Sequence, residues 1–299
     1  MTDEDTEDLE LNEIFGKKIP NLLDQQKCYL IIVHGDNVGK LYHLDKNTIT
    51  IGRSDGFDIL LEDSSCSRKQ AKIEFNGNNK PVLKDLDSTN GTFVNGSKIT
   101  EIGLEDGDKI MFGISSVFQF TMQDALEAEF HMNLYESSVN DPLTGAFNKK
   151  YFIDTLSKEF NYSLRHNNSL GLLMLDIDLF KRINDKYGHI VGDIVLQEVV
   201  KRIENNLRNE DVLCRYGGDE FAVIFRDFKP GFVKITAERI RLFFNGRSLN
   251  CKDHKINISV SIGTATIDNE NIATPEDIIE LADANLYKAK QTGGNCIVI

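Results

Sequence analysis

Gly217-Gly218-Asp219-Glu220-Phe221 lies between two β-like runs, Val212–Tyr216 and Phe221–Phe225. Two glycines between extended runs favour a tight turn, so the stretch predicts a β-hairpin. Asp219 and Glu220 would repel each other at its tip, and a cation explains such a pair better than folding alone. A second acidic cluster, Asp176-Ile177-Asp178, ends an apolar run earlier in the chain. Together the two clusters predict a magnesium-dependent phosphoryl-transfer site.

Composition limits the classes of protein to which the chain can belong. Its length of 299 residues suits two domains, and a hydrophobic fraction of 40% is enough for a sizeable core. The net charge of -13 argues against a nucleic-acid-binding protein. No apolar run is long enough to span a membrane, and the acidic N-terminus is unlike a signal peptide. The five scattered cysteines match no zinc or redox spacing, so we expect a cytoplasmic location.

The first part of the chain predicts a tail followed by an all-β domain. Residues 1–27 predict an acidic disordered tail, since residues 1–13 contain seven Asp or Glu and no Lys or Arg. Residues 28–120 contain many short apolar runs separated by Gly, Asn and Asp. This pattern is typical of a β-sandwich.

Residues 121–139 predict a helical linker, because they contain good helix formers and neither Gly nor Pro. Met122, Leu126, Phe130 and Leu134 recur every four residues and would form one apolar stripe. The stripe could pack on either domain or on the same helix of a second copy.

Residues 140–299 alternate between helical and extended patterns. The pattern predicts the order α-β-α-β-β-α-β-α, and hence an α+β sandwich rather than a doubly wound sheet. Thr274 is the predicted N-cap of the last helix, with Pro275 at the first helical position. Around the acidic hairpin, the predicted elements are helices Lys149–His166, Asp193–Leu207, Pro230–Phe244 and Pro275–Gln291, and strands Leu170–Ile177 and Ile256–Thr264.

The stretch from Asp176 to Asp193, together with Gly217–Phe221, resembles the GGDEF family of diguanylate cyclases. Asp141–Gly145 and Leu286–Lys290 extend the resemblance over essentially all of residues 140–299. It implies the α+β fold shared with nucleotidyl cyclases and polymerase palms. The implied reaction joins two GTP into cyclic di-GMP and releases two pyrophosphates. Since each domain has one GTP site, the resemblance also implies a homodimer with a two-fold axis.

The resemblance assigns roles to individual residues. Mg²⁺, or Mn²⁺ in its place, prefers oxygen ligands and needs few of them from the protein. The implied metal-binding residues are Asp176, Ile177 through its backbone carbonyl, Asp219 and Glu220. The implied catalytic residues are Asp219, Glu220 and Lys181. The implied GTP-binding residues are Phe180, Lys181, Asn184, Asp193 and Lys290.

Asn184 and Asp193 match the family's guanine-contacting positions. A carboxylate suits guanine, whose N1–H and N2–H₂ donors face the same way, whereas adenine has no donor at N1. Without the resemblance, Asn184 would be an ordinary turn residue and Asp193 a helix N-cap. The sequence departs from the family at Gly294, where an arginine often stands, so one phosphate contact is predicted to be missing.

A second site is predicted from Arg208-Asn-Glu-Asp211, which matches the family's product-inhibition motif. Arg239 stands where the family often supplies a second arginine. The alternative interpretation is an exposed ion pair between Arg208 and Asp211 that contributes little to stability.

Three blocks of the first domain, Gly52–Ile59, Ser64–Ala71 and Asp87–Gly96, resemble the forkhead-associated (FHA) domain. The resemblance implies a phosphothreonine-binding site, since a phosphate dianion suits guanidinium, hydroxyl and amide groups on rigid loops. One residue departs from the family, because Gln70 replaces the usual histidine that is thought to brace these loops. The implied phosphopeptide-binding residues are Arg53, Ser67, Arg68 and Asn90.

We interpret the chain as a signalling enzyme in which a phosphothreonine sensor precedes a diguanylate cyclase. The phosphorylated ligand would be another protein or the chain's own tail, through Thr2 or Thr6. The alternatives are a catalytically degenerate cyclic di-GMP receptor, which Gly294 favours, and a phosphopeptide scaffold.

Overall fold

The computed structural model describes residues 26–299, apart from 55, 62, 64, 76–79, 252–253 and 269–270. The chain divides into two compact units between Ser138 and Val139. Thr2, Thr6 and nearly all of the predicted tail, as well as Ser64, lie outside the described residues. Within the described part of the chain, every helix is too short or too polar to cross a lipid bilayer.

The first unit is a β-sandwich, as predicted. One sheet has the strand order β2-β1-β11-β10-β7-β8, and the other has the order β4-β3-β5-β6-β9. Residues of both sheets, among them Ile32, Ile73 and Phe118, form one shared buried core. The strands are β1 (Lys27–His34), β2 (Leu41–His43), β3 (Thr48–Gly52), β4 (Ile59–Leu60), β5 (Ala71–Phe75), β6 (Pro81–Asp85), β7 (Thr92–Val94), β8 (Ser97–Ile99), β9 (Glu101–Gly103), β10 (Lys109–Phe112) and β11 (Ser116–Gln123).

The linker helix begins later in the chain than predicted, so the predicted start at residue 121 is wrong. Strand β11 continues to Gln123, which pairs with Lys27 of β1, and so Met122 lies on a strand rather than in a helical stripe. Helix α1 (Ala125–Val139) begins after Asp124, whose carboxylate accepts the backbone N–H groups of the first turn.

The rest of the predicted stripe remains exposed along α1. Leu126, Phe130 and Leu134 are 58%, 61% and 50% exposed. Helix α1 therefore presents an apolar stripe, defined by these three residues, that the described residues do not cover.

The second unit is an α+β fold, as predicted, built on a sheet with the order β13-β14-β12-β17-β18. Strand β12 lies at its centre, pairs antiparallel with β14 and β17, and is buried along its whole length. The elements are α2 (Lys149–His166), β12 (Leu170–Ile177), α3 (Phe180–Tyr187), α4 (His189–Glu204), β13 (Val212–Arg215), β14 (Glu220–Arg226), α5 (Phe232–Phe244), β15 (Leu249–Cys251), β16 (His254–Ile256), β17 (Val260–Thr266), α6 (Pro275–Gln291) and β18 (Ile297–Val298).

Alternate residues of β12 enter two different cores. Leu173 and Leu175 join the core that contains residues of α4 and α5, while Leu172 and Met174 join the core that contains residues of α2 and α6. Because side chains alternate along a strand, Asp176 belongs to the α2 and α6 side of the sheet. The strand thus delivers one carboxylate to the end of the sheet on the side of α6.

Several predicted boundaries are wrong. The helix predicted at Asp193–Leu207 begins at His189, so Asp193 lies inside α4 and is no N-cap. Asn184 lies in α3, which was not predicted, rather than in a turn. The strand predicted at Ile256–Thr264 is in fact β16 and β17, because β16 forms a small hairpin with β15.

The last helix begins where the sequence predicts, after the N-cap Thr274. The Thr274 side chain accepts the backbone N–H of Asp277, the Asp277 side chain accepts that of Thr274, and Pro275 occupies the first turn of α6. This capping box fixes the start of the helix that carries Lys290.

Candidate active site

Asp176 lies beside the last residue of β12, opposite Glu220 of β14 and Ser261 of β17. Its side chain is 10% exposed, and its Oδ2 lies 2.6 Å from Nζ of Lys290. The pKa of Asp176 is raised to about 6, chiefly by burial; the hydrogen bond from Lys290 opposes this rise, and the charges of Asp219 and Glu220 add to it. Asp176 is therefore a carboxylate whose negative charge needs a nearby cation.

The Gly-Gly turn joins β13 and β14, as predicted. The backbone N–H groups of Tyr216 and Gly217 donate to the carbonyl oxygen of Glu220 at 2.9 and 3.2 Å. A Cβ at position 217 would lie 2.6 Å from Oε2 of Glu220, so the glycine leaves room for this carboxylate beside the turn. The backbone N–H of Ile177 donates to the carbonyl oxygen of Asp219 at 3.3 Å, which ties the hairpin to the end of β12.

The predicted metal-binding residues fit a divalent cation by their chemistry. Their donors are hard oxygens, the acidic side chains disfavour one another's charge, and the ammonium group of Lys290 already stands against Asp176. Within the described residues, no three acidic, His or Cys side chains converge closely enough to hold an ion by themselves. A cation bound here would rely on backbone, water or nucleotide oxygens as well.

The predicted guanine-binding residues lie on two consecutive helices. Asn184 and Phe180 belong to α3, and Asp193 is an exposed residue of α4. The side-chain oxygen of Asn184 is buried without a hydrogen-bond partner among the described residues. Lys181 is exposed on the first turn of α3. Buried polar atoms usually have partners, so the unpaired Asn184 oxygen calls for a structural reason.

Arg215 braces the acidic hairpin, a role that the sequence did not reveal. Its guanidinium donates to the carbonyl oxygen of Gly218 at 2.7 and 3.1 Å and to Oδ1 of Asp141 at 2.9 Å. The same Asp141 oxygen accepts the backbone N–H and the hydroxyl of Thr144. The Asp141–Gly145 motif therefore positions the hairpin through Arg215.

We expect Arg215→Ala to lower kcat by about ten- to a hundredfold, because a loosened hairpin misplaces Asp219 and Glu220. GTP binding should change little, since the side-chain hydrogen bonds of Arg215 go to Gly218 and Asp141, and to no residue of α3 or α4 among those that the structure describes. Steady-state kinetics measures both quantities, with the exposed Arg165→Ala on α2 as the control. An unchanged kcat would show that the hairpin holds its shape without this brace.

Asp178 explains the departure at position 294. Its carboxylate accepts hydrogen bonds from the Ser259 and Ser261 hydroxyls, both at 2.6 Å, and from the Asn295 backbone N–H at 2.8 Å. Gly294 has a φ of +80°, and a Cβ there would lie 2.8 Å from Oδ1 of Asp178. In this chain, position 294 therefore requires glycine.

We expect Gly294→Arg, which puts back the residue common in the family, to lower the free energy of unfolding by about 2 kcal/mol through backbone strain and crowding. It should not tighten GTP binding. Urea denaturation and GTP titration measure the two effects. Gly231→Arg is the matched control, since Gly231 has a φ of +82° and open space around it and so keeps the backbone strain without the crowding. Tighter GTP binding by a Gly294→Arg protein of normal stability would contradict this explanation.

The residues of the predicted inhibitory site are close to one another. Asp211 accepts the Arg208 backbone N–H at 2.9 Å, while the Arg208 guanidinium lies over the Phe232 ring at 3.9 Å. The ion pair of Arg208 is with Glu210, so the alternative of a simple Arg208–Asp211 pair is wrong. Arg239 donates to the carbonyl oxygen of Asn206, just before this loop.

The other carboxylate oxygen of Asp211, Oδ1, has no hydrogen-bond partner among the described residues. Burial raises the pKa of Asp211, and Oδ1 itself is buried. A carboxylate oxygen with no partner beside a stacked guanidinium is a suitable acceptor for a polar ligand.

In the first unit, the predicted phosphopeptide-binding residues lie on neighbouring loops. The Thr89 backbone N–H donates to the Ser67 hydroxyl at 2.8 Å, and the Asn90 amide donates to the carbonyl oxygen of Ser65 at 2.7 Å. Arg53 donates through Nε to the carbonyl oxygen of Cys66. Arg68 is exposed on the loop before β5.

Gln70 holds these loops together. Its side chain is fully buried, accepts the Ser67 backbone N–H at 2.8 Å, and donates to the Gly91 carbonyl oxygen and the Thr92 hydroxyl, both at 3.1 Å. Gln70 thus braces the loops whose geometry was in doubt, because a glutamine stands where the family usually has a histidine.

Comparison with known proteins identifies both units. Residues 138–296 match the family model described as "Diguanylate cyclase, GGDEF domain". Residues 49–113 match the model of the FHA domain, so an FHA domain precedes the GGDEF domain.

Curated relatives match the second unit. Diguanylate cyclase A of Treponema denticola is 39% identical over 169 residues, which cover 56% of this chain and 45% of the relative. The response regulator PleD of Caulobacter vibrioides is 37% identical over 165 residues, which cover 54% of this chain and 36% of PleD. The match therefore spans less than half the length of these relatives.

Solved structures match the same unit. The coiled coil and GGDEF domain of DgcB from Caulobacter crescentus, in complex with c-di-GMP, aligns with a TM-score of 0.54 and 31% identity over 58% of this chain and 91% of that one. The diguanylate cyclase SiaD of Pseudomonas aeruginosa, in complex with its activator SiaC, aligns with a TM-score of 0.52 and 31% identity over 58% of this chain and 66% of that one.

Proposed function

Because the chain belongs to the GGDEF family of diguanylate cyclases, we propose that its second unit condenses two GTP molecules into cyclic di-GMP and releases two pyrophosphates. The observation that carries the proposal is the buried Asp176, placed beside the acidic hairpin and held against Lys290. Those groups are the ones that a triphosphate with a divalent cation requires.

Asp176, Asp219, Glu220 and the Ile177 carbonyl would hold the cation, Mg²⁺ in our proposal with Mn²⁺ as the alternative. When bound, the cation neutralises the triphosphate and makes the attacking ribose hydroxyl more acidic. The Lys290 ammonium group lies at the same site. When nucleotide enters, this group can release Asp176 and bind a phosphate oxygen instead.

Base recognition falls to α3 and α4. The Asp193 carboxylate accepts the N1–H and N2–H₂ groups of guanine, and the Asn184 amide contacts the same base. Adenine would leave the Asp193 carboxylate without the N1–H donor, at a cost of about 1–3 kcal/mol. This difference is sufficient for a strong preference for GTP.

Incubation of the protein with GTP and Mg²⁺ tests the activity. We expect cyclic di-GMP and pyrophosphate to appear with GTP, and neither cyclic di-AMP nor pyrophosphate to appear with ATP. Binding of cyclic di-GMP without any turnover of GTP would instead favour the alternative of a degenerate receptor. The cytoplasmic location stays a prediction from the sequence.

Product inhibition is the second part of the proposal. The stacked Arg208 guanidinium, the unpartnered Asp211 oxygen and the nearby Arg239 support a cyclic di-GMP site on the loop before β13. Arg208→Ala should give a progress curve that stays linear for longer than that of the wild type. Identical curves and identical product binding would refute this role.

The FHA domain would supply phosphothreonine recognition. The braced loops that carry Arg53, Ser67 and Asn90 support it. Fluorescence titration with a phosphothreonine peptide should show binding that Arg53→Ala abolishes and that the unphosphorylated peptide lacks. If Thr2 or Thr6 of the tail is the ligand, Thr2→Ala with Thr6→Ala should remove any phosphorylation-dependent behaviour; if not, an external phosphoprotein is the ligand.

A further inference from the structure

The side-chain amide of Asn184 fills the space that a side chain at position 192 would need. A Cβ added to Gly192 would lie 1.9 Å from Oδ1 of Asn184, 3.0 Å from its Cγ and 3.4 Å from Cζ of Phe180. The amide end of Asn184 therefore lies where the side chain of residue 192 would otherwise be. Glycine is a poor helix former, and Gly192 is a helical residue of α4, so local structure gives no reason for it.

The two helices cannot move apart easily to relieve such crowding. Only Gly188 separates α3 from α4, and it has a φ of +82°. Its backbone N–H donates to the Asn184 carbonyl oxygen at 2.9 Å, and its own carbonyl oxygen accepts the Gly192 N–H at 3.2 Å. A side chain at position 192 would have to displace the Asn184 amide instead.

We propose that Gly192 is a positioning residue for base recognition, because its missing side chain fixes the Asn184 amide in the orientation that faces guanine. The inference rests on the proposed GTP-dependent function. Asp193, the next residue of α4, is exposed. Gly192 therefore adjoins both recognition groups, because it precedes Asp193 in the chain and lies against the Asn184 amide.

Gly192→Ala tests this role through base preference. We expect both Gly192→Ala and Asn184→Ala to weaken GTP binding by about tenfold while ATP binding is unchanged, so that the preference for GTP falls. Because the alanine acts only through Asn184, the double variant Gly192→Ala/Asn184→Ala should bind GTP no more weakly than Asn184→Ala alone. Gly103→Ala on β9, where a Cβ meets nothing within 4 Å, is the control and should keep the full preference.

Thermal unfolding gives a readout that needs no nucleotide. In the wild-type background, Gly192→Ala should lower Tm, because the methyl group collides with the amide. In the Asn184→Ala background it should raise Tm, because the space is open and alanine is the better helix former. A change of the same sign in both backgrounds would overturn the proposed contact.

The outcomes separate this inference from the proposed function. If the wild type prefers GTP and Gly192→Ala keeps that preference, only the role of Gly192 is wrong. If the wild type shows no preference for GTP over ATP, the proposed function fails and the role of Gly192 fails with it.

Discussion

Asp176→Asn is expected to abolish cyclic di-GMP synthesis, with a fall in kcat of about a thousandfold. The substitution keeps the shape of a buried side chain opposite Glu220 and Ser261, and an amide oxygen can still accept a hydrogen bond from Lys290. It removes the negative charge that, in our proposal, holds a cation at the end of β12. Chromatographic measurement of cyclic di-GMP, with circular dichroism to confirm the fold, checks the result.

The matched control is Asp283→Asn, which removes an exposed carboxylate from α6 and should leave kcat unchanged. If Asp176→Asn retained a tenth or more of the wild-type kcat, the acidic site could not be the catalytic centre. A loss of GTP binding to the same extent as kcat would show that Asp176 acts before the chemical step.

Phe130→Glu combined with Leu134→Glu is expected to lower activity per enzyme by about tenfold or more at low protein concentration and to restore it at high concentration. The two side chains are 61% and 50% exposed on α1, and we propose that a second copy covers them. Two facing copies would then bring four like charges together. Because two GTP sites must meet, a weaker dimer means fewer active sites.

Analytical ultracentrifugation and specific activity, both measured over a dilution series, check this prediction. Asn133→Glu adds a charge at an exposed polar position of the same helix and should change neither the dimer nor the activity. Unaltered dimerisation of the double variant would mean that the apolar stripe of α1 has another partner.

The sequence predicted what periodicity and turn residues encode locally. The β-sandwich and the buried strand at Leu170–Ile177 follow from short apolar runs, and the acidic hairpin follows from Gly-Gly between two such runs. The start of the last helix follows from Thr274 and Pro275. All of these depend on residues that are close together in the chain.

The features that the sequence did not predict have weaker local signals. Helix α3 is eight residues long and has one buried residue, Ile183, so it is too short for a helical period to show. Strand β11 extends to Gln123 because β1 pairs with it, although its last two residues, Met122 and Gln123, are good helix formers. Tertiary pairing decided the outcome over propensity there.

Long-range contacts had no sequence signal at all. Asp178 and Asn295 are brought together by the sheet, as are Arg215 and Asp141. Asp176 and Asp178 are two residues apart, so a strand continued to residue 178 would place both on one face. Strand β12 ends at Ile177, and the Asp178 carboxylate instead accepts hydrogen bonds from Ser259, Ser261 and Asn295. Without the fold, Gly294 looked like a lost contact rather than a residue that makes room for Asp178.

The buried amide of Gln70 has a consequence for the kinetics of recognition by the first unit. Since one side chain ties the segment at Ser67 to the segment at Gly91 and Thr92 before any ligand arrives, the conformational entropy of these two segments is lost during folding rather than at encounter. Ligands then dock on an already rigid rim, and we expect their association rates to be similar. Selectivity among them will reside in how long each complex survives.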